Sequence, residues 1–286
     1  MITRRQFAAS AVAGLGTGTA AQQQGNRTRP NVIYIILDDL GMYDTGCFGS
    51  KQIETPNIDR LAAEGMRFTQ AYSGCTVCAP ARCTLMTGKH MGHATVRANP
   101  GGVSLQASDR TMAEMLKQAG YRCGGFGKWG VGDIETAGVP EKKGFDRFFG
   151  YYHQVHAHYY FPDYLIDTGN KAMLPGNRGF YDSKPPAAYV ATGKDRQFSA
   201  TRIASEMLQW IREQKGQPFF CYAPWTIPHG RHEILETDPA WQMYKDKPWP
   251  LQARVHAAFV SMADRFVGEL LALLKELNLD SNTVLF

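Results

Sequence analysis

The chain has 286 residues, 44% of them hydrophobic and 20% charged, with a formal net charge of +5. That length holds one large domain or two small ones, and the composition excludes a disordered or fibrous chain. So mild a positive balance is no argument for nucleic acid, although it suits an anionic small-molecule substrate.

The first segment reads as a targeting element. Thr3-Arg4-Arg5-Gln6-Phe7 sets a twin arginine before a polar residue and an aromatic, and Ala8 to Ala21 follows as a run of small, weakly apolar residues. That run is too short and too glycine-rich to span a bilayer. It predicts a twin-arginine-type export signal over residues 1–25, cleaved among Ala20, Ala21 and Gln22. The expected location is the periplasm or the outside of the cell, with no stable membrane insertion.

From Asn31 onward strands alternate with helices. Asn31 to Leu37 (NVIYIIL) is a continuous apolar run, as expected of a strand buried on both faces. Asp38-Asp39-Leu40-Gly41 ends it. Thr55-Pro56-Asn57 opens a helix carrying Ile58, Leu61 and Ala62, closed by Gly65. Met66 to Tyr72 is a second strand candidate. Thr111 to Gln118 predicts a helix closed by Gly120, and Tyr121 to Phe126 a strand despite two glycines. Ala200 to Gln214 is amphipathic at helical spacing, and Pro218 to Ala223 is a short apolar strand. A long helix is expected from about Leu251 to Leu277, then a turn at Asp280-Ser281-Asn282 and a strand over Thr283 to Phe286. Residues 151–198, rich in Tyr, Gly, Pro and His, lack periodicity and predict an ordered excursion over the sheet. The order predicts an α/β fold, a mostly parallel sheet with helices on both faces.

Six cysteines are present, at 47, 75, 78, 83, 123 and 221, with too many pairings for sequence to choose among. Cys75, Cys78 and Cys83 lack a second ligand pair at zinc spacing, so a metal finger is a weak reading. Cys78-Ala79-Pro80-Ala81-Arg82 carries more. Pro80 suits the first turn of a helix and Gly88 its end, which puts Cys78 at the N-terminus, where free N–H groups favour an anion. Arg82 lies one turn on, on the same face, within reach of the same anion. Taken alone, Asp38 and Asp39 are turn and capping residues, Lys128 is a solvated lysine, and His229 is an ordinary histidine. At the carboxyl end of a central strand, the two aspartates become half of a hard-cation site.

Here the chain resembles the sulfatase family, whose signature is Cys or Ser, any residue, Pro, Ser or Ala, then Arg, and whose members oxidise that cysteine to formylglycine. Pro30-Asn31-Val32 with Asp38-Asp39, Thr55 to Leu61 with Gly65 to Phe68, Gly127-Lys128-Trp129, and Pro228-His229 are similar to four further blocks, in order. The resemblance spans about Arg29 to Phe286 and implies a sulfatase catalytic domain over 29–286 with an alkaline-phosphatase-like sheet. It implies sulfate-ester hydrolysis, with a sulfated small molecule or glycan as substrate and a formylglycine-generating enzyme as partner. Calcium rather than magnesium is implied, held by Asp38, Asp39 and the modified Cys78. The catalytic set carried over is Cys78, Arg82, Lys128 and His229. One hydroxyl of the hydrated aldehyde would attack sulfur, and His229 would protonate the departing alcohol. Loss of the second hydroxyl's proton would then expel sulfate.

Two departures accompany the match. Many members carry a histidine two residues after the lysine, where this chain has Gly130; His90, His93 or a histidine of the 153–158 cluster is a candidate substitute. The chain also stops inside an apolar strand, before the family's Asp-Asn pair and further lysine, which predicts a sheet truncated at the C-terminus, an incomplete catalytic domain, and a fragment that is weakly active or inactive. Two other readings stay open: a phosphate- or phosphonate-ester hydrolase of the same superfamily, and a non-catalytic relative that binds a sulfated glycan.

Overall fold

A computed structural model describes residues 29–214 and 216–286; the expected export signal lies outside them. The opening apolar run forms β1, Asn31–Asp38, beside β7, Phe219–Pro228, a strand buried along all ten residues. Three further parallel strands complete the inner sheet: β2 (Arg122–Lys128), β3 (Arg147–Tyr151) and β9 (Thr283–Leu285). With β4 (Tyr164–Asp167) and β5 (Asn170–Met173) the sheet order is β5-β4-β3-β2-β7-β1-β9.

Alternation along β7 divides the core. Cys221 and Ala223 point to one face, where α4 (Ser199–Glu213) and α6 (Leu251–Glu276) bring Ile203, Met207, Phe259 and Met262. Phe220 and Tyr222 point to the other, covered by α2 (Cys78–Thr87) and α3 (Met112–Gln118) through Cys83, Met86 and Ala113. Helix α1 (Pro56–Glu64) reaches α6, where buried Asp264 accepts from the backbone of Asn57 and Ile58 and from the Asn57 amide. The expected starts and stops recur: Pro56 opens α1 before Gly65, Gly88 closes α2 with φ +65°, and Thr111 caps α3.

The glycines of β2 are close-approach positions. A Cβ on Gly125 would lie 2.3 Å from the Phe148 ring, and one on Gly127, at φ +142°, 2.1 Å from the Pro224 carbonyl oxygen. β7 outruns its expected end at Ala223 by five residues, through Pro224 and Pro228. Ladder pairing with β2 stops at Tyr222, so beyond it β7 is paired with β1 alone, and on the β2 side it tolerates proline like an edge strand.

Two expectations need correction. Residues 66–72 form no strand, and Met66, Phe68 and Tyr72 are 78%, 61% and 86% exposed. Residues 151–198 do not simply lie over the sheet. β4 and β5 extend it as an antiparallel hairpin, whose turn at Thr168 and Gly169 has positive φ at both positions. Farther on, β6 (Ala188–Ala191) pairs with β8 (His232–Leu235) in a separate two-stranded sheet. No helix among the described residues is long and apolar enough to cross a membrane.

Candidate active site

Three parallel strands end side by side, and each delivers a residue singled out from sequence. β1 ends at Asp38, β2 at Lys128, and β7 runs out two residues short of Gly230, bringing His229. The carboxyl end of such a sheet is where α/β folds collect their chemistry. Helix α2 begins there with Cys78 in its first turn. Asn99, which sequence did not flag, accepts the Ala79 N–H at 3.0 Å and so caps this turn from outside the helix.

Asp38 is the hub. Its Oδ2 takes the Lys128 ammonium at 2.8 Å and the Arg82 guanidinium at 3.2 Å, and its Oδ1 accepts the Cys78 thiol at 3.2 Å. Lys128 is fully buried and Arg82 is 3% exposed, so neither cation has water to fall back on. Arg82 also donates to the Lys128 carbonyl, locking strand and helix together. Burial alone would raise the Asp38 pKa, but the charges of Arg82 and Lys128 hold it well below the usual carboxylate range.

Cys78 responds in the opposite sense. Burial and then the Asp38 charge push its thiol up, against a smaller pull from Lys128. A thiol kept protonated is a poor nucleophile at neutral pH, so the unmodified side chain is not activated. Asp38, Asp39 and Cys78 place one ligand atom each within 4.8 Å of one another. Two carboxylates suit a hard divalent cation, and a soft thiol does not; an oxygen on residue 78 would make the set uniform. The three clustered cysteines make no such group, because Cys83 turns into the core.

Asp39 sits at φ +61°, a left-handed position that aspartate tolerates, with its Oδ2 3.4 Å from the Nε2 of His229. A cavity of about 800 Å³ opens over Asp38, Asp39, Cys78 and Arg82 and extends to Lys89 and His90.

The histidines proposed to stand in for Gly130 separate clearly. Gly130 has φ +74°, and a Cβ there would lie 2.6 Å from Oε1 of buried Gln154, which fills the space a side chain would need. His90 lines the cavity, and His93 is exposed. His153 lies against Gly101, and His156 packs on Tyr151 and Tyr164. His158 alone of these stacks on His229, with ring centroids 4.6 Å apart and planes inclined by 15°. Burial, then the Lys128 charge, pulls its pKa down to about 4, so it is neutral at neutral pH.

Residues 30–286 match the family model described as Sulfatase. The chain belongs to the sulfatase family. N-acetylgalactosamine-6-sulfatase of Canis lupus familiaris is 31% identical over 298 residues, 96% of this chain and 51% of that protein. Arylsulfatase of Klebsiella aerogenes is 30% identical over 335 residues, 94% of this chain and 67% of that protein. Among solved structures, Ps i-CgsB superposes with a TM-score of 0.74 at 27% identity, covering 90% of this chain and 57% of that one. The sheet is the alkaline-phosphatase-like α/β arrangement shared by these sulfatases. The chain spans about half the length of most of the relatives it matches.

Proposed function

We propose that residues 29–286 serve in hydrolysing a sulfate ester, of a sulfated carbohydrate or an aryl sulfate, through a formylglycine made from Cys78. One observation carries the reading: Cys78, Arg82 and Lys128 all contact a single buried carboxylate, that of Asp38, at the mouth of an open cavity. The family membership and the sulfatase names of the relatives support it.

In this reading Asp38 and Asp39 would hold a divalent cation, calcium by preference, and a cation bound there would supply Lewis-acid polarisation. Formylglycine at position 78 supplies the oxygen nucleophile, and a formylglycine-generating enzyme is the partner that installs it. Arg82 and Lys128 oppose the charge on the sulfuryl oxygens, in a setting where burial strengthens each interaction. His229, whose Nε2 lies beside Asp39, donates a proton to the departing alcohol. The twin-arginine pattern of residues 1–25 directs the protein to the periplasm or beyond.

The test is paired turnover by the full-length protein, produced with a formylglycine-generating enzyme and calcium. Release of sulfate from 4-nitrophenyl sulfate is expected, lost by about a thousandfold or more in Cys78→Ala. Faster release of phosphate from 4-nitrophenyl phosphate would assign the site to phosphate-ester chemistry, and tight binding of a sulfated polysaccharide without turnover would assign it to recognition.

A further inference from the structure

His229 is gripped from two directions by one short segment of the 151–198 excursion. Its face is covered by the ring of His158, nearly parallel at 4.6 Å. Its own carbonyl accepts the hydroxyl of Tyr160 at 2.6 Å, and the same hydroxyl lies 3.1 Å from the carbonyl of Thr226. Tyr160 is 1% exposed and wedged between Phe198 and Phe259, so it is a fixed post. Just ahead of His158, Ala157 is buried and the backbone makes a 3-10 turn, His156–His158, at whose end the His158 ring meets His229.

Nε2 of His158 and Nδ1 of His229 are buried without a hydrogen-bond partner among the described residues. The position of the His229 ring therefore depends on the flat contact with His158, and on Asp39 at 3.4 Å from its Nε2. Asp39 is 62% exposed at its side chain, a weak anchor by itself.

We propose that His158 is a positioning residue for His229, its ring setting the direction in which Nε2 of His229 presents a proton. This rests on the reading of His229 as proton donor to the leaving alcohol. In that step the bond from sulfur to the alcohol oxygen breaks, its electron pair stays on that oxygen, and the proton passes from Nε2 to the same oxygen. The sulfuryl group passes to the nucleophile at position 78. A nitrophenolate leaves readily without a proton, whereas an aliphatic or sugar alkoxide does not. A misdirected His229 therefore penalises alkyl sulfates selectively, which a general loss of structure would not do.

The experiment compares an alkyl sulfate with 4-nitrophenyl sulfate in the formylglycine-bearing full-length protein, using His158→Ala, His158→Phe and His229→Ala. For His158→Ala, kcat on the alkyl ester should fall about ten- to a hundredfold and on the nitrophenyl ester by less than about threefold, with KM changing little on either. His158→Phe, which keeps a flat ring, should recover most of the loss. His229→Ala should show the same selectivity more strongly. Equal losses on both esters, or none, in His158→Ala beside a selective His229→Ala would overturn the positioning role and leave the proton donor standing. A His229→Ala variant without selectivity would overturn the proton donor instead. A second readout needs no turnover. In the unmodified, cation-free chain, the His229 ring protons should carry a ring-current displacement that disappears in His158→Ala and persists in His158→Phe. His229 resonances unmoved by His158→Ala would refute the contact itself.

Discussion

Two walls of the candidate site, which meet where His229 approaches Asp39, are built by different means. The Asp38, Arg82 and Lys128 wall comes from regular elements: the ends of β1 and β2 and the second turn of α2. Its partners meet by direct ion pairs in the interior. The His229 wall comes from a loop after β7 and a 3-10 turn of the excursion, and it is held by ring stacking and one tyrosine hydroxyl. The first wall is rigid because strand and helix geometry leave it no alternative. The second is set by tertiary packing between segments that have no periodic structure of their own, which makes it the easier one to displace.

The largest effect should come from breaking the first wall at its hub. Asp38→Asn leaves Arg82 and Lys128 buried beside a neutral amide, an uncompensated arrangement that costs about 3–5 kcal/mol. Chemical denaturation of the cation-free chain should show it as a lowered midpoint at unchanged slope. A loss no larger than that of an exposed ion pair would mean that the cations find water and that the wall is not rigid.

A smaller effect should distinguish the walls by pH. Burial depresses both His156 and His158 to about 4, below their unfolded value near 6.5. Between those limits the unfolded chain binds more protons than the folded one, so stability is full above pH 6.5 and falls as pH drops toward 4. The Asp38 contribution runs on another window. Its folded pKa lies below the unfolded one, so that contribution persists until pH falls below the ordinary carboxylate range. Thermal unfolding of the cation-free chain should therefore weaken in the first window through the histidine wall, and His158→Phe should weaken less there. A flat profile from pH 6.5 to 4 would contradict the buried, neutral state of these rings.

The same contrast explains what was legible in the sequence. Cys78, Pro80, Arg82 and Gly88 sit at spacings that a helix converts directly into geometry, so their arrangement follows from 3.6 residues per turn. Asp38 closes β1 where an apolar run gives way to Asp38-Asp39, whereas β2 runs two residues past its expected end at Phe126 to reach Lys128. His158 lies in a stretch where no period applies; the cluster could be named as a source of a substitute histidine, but only tertiary structure separates His158 from His153 and His156. Tyr160, Asn99 and Gln154 gave no local signal at all, since each acts on a segment distant in sequence. The false strand at 66–72 has the complementary cause: Met66, Phe68 and Tyr72 are apolar, but the segment pairs with no strand among the described residues.

The account depends most on the fate of one side chain, held in the first turn of α2 with its sulfur 3.2 Å from Asp38. Mass spectrometry of the peptide spanning Cys78, after production with a formylglycine-generating enzyme, reads that fate directly. The account predicts a peptide that has lost its sulfur, gained an aldehyde oxygen and reacts with a hydrazide, while Cys75 and Cys83 remain thiols. A peptide that keeps the Cys78 thiol throughout, under conditions that convert a known sulfatase, would contradict it.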